Sequence, residues 1–169
     1  MAPSAAVQKR AALAPDPGPE RAQAIPSSDL PAAAFLSPKP IRFSDCDPAG
    51  IVYTARFVDI MNGVLEDFFS GALGLSYHDY IRSGVGLGYA KADCDFFRPG
   101  MMGDALVFSV LVDRIGNTAV TLAIHGHRGE EEVVRGRFVL VTTSLRLHRP
   151  IPIPAELRSA LVDYQDRCR

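Results

Sequence analysis

Asp47 stands immediately before Pro48, and the run Asp45-Cys46-Asp47-Pro48-Ala49-Gly50-Ile51-Val52-Tyr53 leads into an apolar stretch. A residue before proline is pushed out of the helical region, so Asp47 is held extended and its carboxylate is aimed by backbone sterics. Pro48-Ala49-Gly50 reads as a tight turn in which Gly50 takes a positive φ at little cost. Thr54 is placed to N-cap a helix, with Tyr53 and Val58 as a hydrophobic staple across it. Free amides at such a helix start, together with the positive end of the helix dipole, favour a developing oxyanion. A fixed carboxylate beside an oxyanion site is one way to assemble acyl-transfer chemistry. Taken alone, Asp47 reads more readily as a simple Asp-Pro turn residue than as a catalytic one.

Other reactive residue types carry less. Asp45 shares a side with Asp47 on an extended chain, so it either raises the Asp47 pKa by like-charge repulsion or caps a turn, and the structural role is favoured. Glu66 is a second carboxylate, on the helix, and reads as a solvated or interface residue. Cys46 has no adjacent base and no His at ligand spacing, which makes it a small packed thiol. His125 and His127 share one strand face, but two ligands are too few for a metal, and none is expected. Gly84-Val85-Gly86-Leu87-Gly88 lacks the Lys-Ser/Thr ending and following helix of a phosphate loop, so it is a strand entry. No GxSxG occurs, which disfavours a serine hydrolase.

The elements that must position Asp47 follow from periodicity. A first strand is expected at Ile41–Ser44, where apolar and polar residues alternate. From Thr54, the apolar residues Phe57, Ile60, Met61, Val64, Leu65, Phe68 and Phe69 fall on one wide helical face, and Gly71 stops the helix near Ser70. Gly63 inside this helix is costly and hints at a close neighbour. After a loop through Tyr77–Tyr80, four strands are expected near Val85–Phe97, Ala105–Arg114, Thr118–His127 and Val133–His148. Hairpins at Gly116-Asn117 and Gly129-Glu130-Glu131 join the last three. The last strand is long enough to need a bend, with Gly136 as its candidate. Pro154 suits the first turn of a short terminal helix, Ala155–Gln165. The fold class is therefore α+β, an antiparallel sheet wrapped around a long helix.

The chain of 169 residues is 47% apolar with a net charge of −1, which supports a folded core and gives no general pull toward nucleic acid or anionic membrane. No apolar run approaches a membrane span. Three cysteines without CxxC spacing argue against a disulfide framework or a zinc site and suggest a reducing, cytoplasmic setting. Residues 1–39 are nearly half Ala and Pro and read as a disordered tail ahead of one domain at 40–169.

The nonapeptide with Phe43-Ser44 before it resembles the signature of the 4-hydroxybenzoyl-CoA thioesterase family of hotdog-fold proteins. Cys94-Asp95-Phe96-Phe97-Arg98-Pro99, followed by Gly103-Asp104, is similar to that family's strand and turn after the central helix. The resemblance spans residues 40–166. It implies a hotdog fold, a homo-oligomer in which two subunits pair their sheets and often associate again into a homotetramer, and an active site at the dimer interface. It implies cofactor-free hydrolysis of an acyl-CoA. Asp47 would be nucleophile or general base, the backbone N–H of Thr54 the oxyanion donor, and Tyr53, with Gly50 in the turn, part of the acyl site. Asn62 would meet a ring substituent, and being uncharged it speaks against a strict 4-hydroxybenzoyl substrate. Lys91, Arg98, Arg114 and Arg137 are the candidates for CoA phosphates. A small aromatic acyl-CoA is the first expectation. Aliphatic or acyl-carrier-protein thioesters, or a non-catalytic acyl-CoA binder, are the alternatives. A hotdog dehydratase would pair a His with an acid near the helix, and no His occurs between Ile41 and Tyr77.

Overall fold

A computed structural model describes residues 22–169. Its central element is α1 (Thr54–Gly71), which buries Phe57, Met61, Val64, Leu65, Phe68 and Phe69. Each such side chain contributes about 1.5–3 kcal/mol of transfer free energy. These residues pack on an antiparallel sheet built from β1 (Phe35–Pro40), β2 (Val85–Phe96), β3 (Ala105–Ile115), β4 (Ala119–Arg128) and β5 (Glu131–Ser144), in the order β1-β3-β4-β5-β2. Leu106, Phe108, Val110, Leu122, Ile124, Val134 and Phe138 complete the core. A short α2 (Tyr77–Arg82) links α1 to β2, and α3 (Ala155–Arg167) closes the domain. Tyr164 of α3 donates its hydroxyl to Val110 O at 2.5 Å, accepts from Phe35 N at 2.7 Å, and packs edge-on against Phe68. The architecture is the expected α+β hotdog. No helix among the described residues is long and apolar enough to cross a membrane.

Several expectations need correction. The first strand lies at Phe35–Pro40, not Ile41–Ser44. Residues Phe43–Asp45 instead wind into a 3-10 turn, in which the Asp45 carboxylate accepts from Arg42 N at 2.8 Å. Pro38 and Pro40 argue against a strand, yet β1 is an edge strand, where a missing N–H can face outward without loss. The tail boundary at residue 39 is wrong for the same stretch. Besides β1, residues 22–34 lie against the sheet, with Ile25 N donating to Glu132 Oε2 at 2.8 Å. Residues 1–21 of the assigned tail lie outside the described residues.

Thr54 is the first residue of α1 rather than its cap. Tyr53 is the N-cap, so Val52 and Phe57 take the place of Tyr53 and Val58, both packing against Gly100. The supposed loop at Tyr77–Tyr80 is helical because Ser76 Oγ caps it, accepting from Asp79 N at 3.2 Å. The long last strand is a strand and a return. β5 ends at Ser144, the chain turns, and β6 (Arg149–Pro150) pairs back on Thr143 and Ser144. Gly136 is no bend, since it pairs in register with both Cys94 and Ile124. Its lack of a side chain admits the helix, because a Cβ there would lie 2.5 Å from Met61 Sδ. Gly63, by contrast, has only Lys39 Nζ near it, at 3.8 Å.

Candidate active site

The Asp45–Tyr53 loop is tied at both ends to the body. Cys46 bridges to Val52 and Ile51 to Met101, while Val52 N donates to Gly100 O at 2.8 Å. Inside the loop, Asp47 N donates to Ile51 O at 2.9 Å and Gly50 N to Asp47 O at 2.9 Å. Gly50 has φ +78°, the positive value that the turn chemistry requires. The Asp47 carboxylate accepts from Ala49 N through Oδ1 at 2.8 Å, and among the described residues nothing donates to Oδ2. Asp47 is therefore oriented by its own turn while keeping one oxygen free.

Asp45 has the structural role. It is 7% exposed, with Arg56 donating to Oδ1 at 2.8 Å and the Arg42 amide to Oδ2. Burial alone would raise its pKa, but the Arg56 guanidinium and the Arg42 amide outweigh burial and hold it below the usual carboxylate range. Arg56 was not among the sequence candidates; its one local signal is its position in the first turn of α1, facing back over the loop. Cys46 is a packed thiol whose pKa is pushed up by burial and by Asp45, Asp47 and Asp104.

Thr54 opens α1, and its amide donates to no acceptor among the described residues. It lines a cleft of about 320 Å³ with Val52, Phe57, Phe96, Phe97 and Arg98. An unpaired amide at a helix N-terminus, opening on an aromatic-walled cleft, suits a carbonyl oxygen that gains negative charge. Tyr53 is 56% exposed beside it, so its ring is available to a ligand rather than to the core.

Asn62 lies two turns further along α1 and is engaged. Tyr89 of β2 donates its hydroxyl to Asn62 Oδ1 at 2.6 Å, and Asn62 Nδ2 donates to Glu66 Oε1 at 3.1 Å. Burial, with Tyr77 and Glu66 adding to it, pushes the Tyr89 phenol up to about 12. Glu66, exposed on the helix, thus supports Asn62 through a hydrogen bond. Tyr89 was missed because nothing local links residue 89 to residue 62.

The four basic candidates stand on different segments, Lys91 in β2, Arg98 after it, Arg114 in β3 and Arg137 in β5. Arg98 lines the Thr54 cleft, pairs with Glu131 at 3.4 Å, and donates to Glu132 O at 3.1 Å. Lys91 is paired with Asp93 at 2.5 Å and Arg137 with Asp113 at 3.1 Å, while Arg114 is exposed beside the β3 irregularity at Val112. His125 and His127 are buried in a hydrogen-bonded cluster with Glu132, and no group of three metal-ligating side chains forms among the described residues.

The model of the thioesterase-like superfamily matches residues 41–161. The chain belongs to that superfamily. It is a thioester hydrolase of the hotdog fold. The 1,4-dihydroxy-2-naphthoyl-CoA hydrolase of Nostoc punctiforme is 27% identical over 122 residues, covering 70% of this chain and 82% of that protein. The enzyme of the same name from Synechococcus elongatus is 25% identical over 123 residues, covering 72% and 90%. Among solved structures, the thioesterase carries the folds of a 1,4-dihydroxy-2-naphthoyl-CoA thioesterase from Synechocystis (TM-score 0.71, 22% identity, 77% of this chain and 96% of that one) and a gentisyl-coenzyme A thioesterase (TM-score 0.70, 21% identity, 75% and 99%).

Proposed function

We propose that this thioesterase hydrolyses a small hydroxylated aromatic acyl-CoA to the free acid and CoA. The observation that carries the reading is the loop itself, where a turn-fixed Asp47 and the unpaired Thr54 amide stand at opposite ends of one clipped segment. In this reading the thioester carbonyl oxygen accepts from Thr54 N–H as it becomes an oxyanion. Asp47 then either attacks the carbonyl carbon, giving a mixed anhydride that water cleaves, or takes a proton from an attacking water. In both routes the C–S bond breaks, CoA leaves as thiolate and is protonated, and one water is consumed. The residues present supply these roles without a metal or other cofactor.

The aromatic preference has two supports. The relatives named above act on hydroxylated aromatic acyl groups, and Phe57, Phe96 and Phe97 wall the cleft. The Tyr89–Asn62–Glu66 chain offers both donors and acceptors to ring hydroxyls. Arg98, which lines the same cleft, would take the CoA end. A dimer formed through the free edge of β2 would bring a second chain alongside this face, as the family resemblance implies.

Thiol release from hydroxynaphthoyl-, hydroxybenzoyl-, benzoyl- and aliphatic CoAs, with wild type and Asp47→Asn side by side, tests the proposal. The expected result is turnover of a hydroxyaromatic member that falls about 100-fold or more in kcat for Asp47→Asn. Residual activity near wild type would remove Asp47 from its role. Binding of every thioester without release would make the protein a binder.

A further inference from the structure

The outer face of the sheet, away from α1, carries a second cleft that the hydrolase chemistry does not use. Residues 27–34 roof it and strands β1, β3 and β4 form its floor, enclosing about 410 Å³. This lies within the range of roughly 300–1,000 Å³ typical of small-molecule sites. The roof precedes the part of the chain that the superfamily model matches, which starts at residue 41.

Leu30, Pro31, Leu36 and Val107 make the floor and roof mostly apolar, Ser27 and Ser28 lie in the roof, Ser109 and His127 give the floor a polar end, and no Asp, Glu, Lys or Arg lines the cleft. Ser109, 3% exposed, places its hydroxyl in the lining. A buried polar atom left unmatched is costly, so one on a residue that lines a cleft points to an occupant.

The neighbouring histidines define what that occupant must offer. His127 Nε2 lies 3.0 Å from Ile25 O, and a carbonyl only accepts, so Nε2 carries the proton and Nδ1 is a bare acceptor. That Nδ1 is buried without a partner. His125, directly across from Ser109 in the strand register, has Nδ1 at 2.8 Å from Glu132 Oε1. Glu132 is held ionised by Arg135 and the Ile25 amide, so this nitrogen is also the donor and His125 Nε2 the acceptor. At the polar end His127 thus keeps one acceptor, Nδ1, beside the Ser109 hydroxyl, with no fixed charge lining the space.

We propose that this cleft binds a neutral, mostly apolar small molecule bearing one hydroxyl group, a phenol or a compact alcohol, with the hydroxyl at Ser109 and His127. The inference stands apart from the thioesterase reading, since it uses none of the residues placed there.

Titration of the full-length protein with phenol, cyclohexanol, toluene and benzoate, followed by amide chemical shifts, tests it. Saturable shifts at Ala34, Leu36, Val107 and Gly129 are expected with phenol or cyclohexanol. Toluene, lacking the hydroxyl, and benzoate, carrying charge, should bind at least 10-fold more weakly. Ser109→Leu should weaken phenol at least 10-fold while thiol release is unchanged, which reports an intact fold. Leu36→Trp, at a position 60% exposed, should block the cleft from the edge strand without loading the core. The proposal is overturned by shifts confined to the Thr54 cleft, by no saturable shift, by toluene binding as well as phenol, or by phenol affinity unchanged in both variants.

Discussion

Asp45 and Asp47 are two residues apart, and their partners separate their tasks. Asp45 is enclosed by Arg56 and the Arg42 amide, whereas Asp47 keeps Oδ2 open. Replacing Asp45 with Asn weakens a charge-assisted bond to a guanidinium that is itself 40% exposed, so a loss of about 1–2 kcal/mol is expected in urea denaturation. Because the folded pKa of Asp45 is lowered, its contribution is full above the unfolded value of 3.8 and fades as pH falls through the folded one. The same variant should keep more activity than Asp47→Asn in thiol-release assays, since it alters the loop's support and leaves the free oxygen in place. The turn around Asp47 was legible because everything that shapes it, Pro48, Ala49 and Gly50, is local. Arg56 and Tyr89 were not, because their partners lie 11 and 27 positions away and periodicity carries no trace of such pairs.

Two glycines at the level of helix and strand make opposite predictions. Gly136 lets α1 approach β5, and a methyl there would meet Met61 Sδ and Phe138 Cε2, each at 2.5 Å. Gly136→Ala should cost about 1–3 kcal/mol by overpacking. Gly63 has open space, so Gly63→Ala should stabilise by about 0.5–1 kcal/mol through helix propensity. Thermal unfolding of the two variants would check both signs. α1 itself was readable from the spacing of its apolar residues. β1 was hidden by its two prolines, and the end of β5 by a return strand of only two residues. The segment at residues 22–34 brings a pH dependence. Burial lowers the His125 pKa more than Glu132 raises it, so stability from this site is full above the unfolded value of 6.5 and falls as pH drops toward the folded one. Glu132 is also lowered, because Arg135, the Ile25 amide and His125 outweigh its burial, so a second decline begins below its unfolded value of 4.5. Urea titrations from pH 8 to pH 4 should show His125→Gln losing the upper decline. Glu132→Gln should lose the lower one and speed proteolytic cleavage within residues 22–34.

In the molecule as a whole, one long strand edge is left without a partner. β2 pairs with β5 along one side through 11 aligned residues, and its other edge faces no strand among the described residues. Open edges of this length invite pairing, and sedimentation of the purified protein should give a multiple of the chain mass. A monomer at micromolar concentration would contradict that expectation. The overall α+β order was legible because hairpin signals and one long apolar helix admit few arrangements. How the N-terminal residues meet the sheet was not, since composition reports only their poor local order. Their attachment has a consequence for the order of events during synthesis. Ile25 is held by His127 and Glu132, and β1 pairs with β3, so β1 has no partner until residues 105–110 have been made and Ile25 has none until residue 127. The nascent chain must therefore build β3 before β1 can pair, and β4 and the start of β5 before residues 22–34 can settle, although both segments are translated earlier.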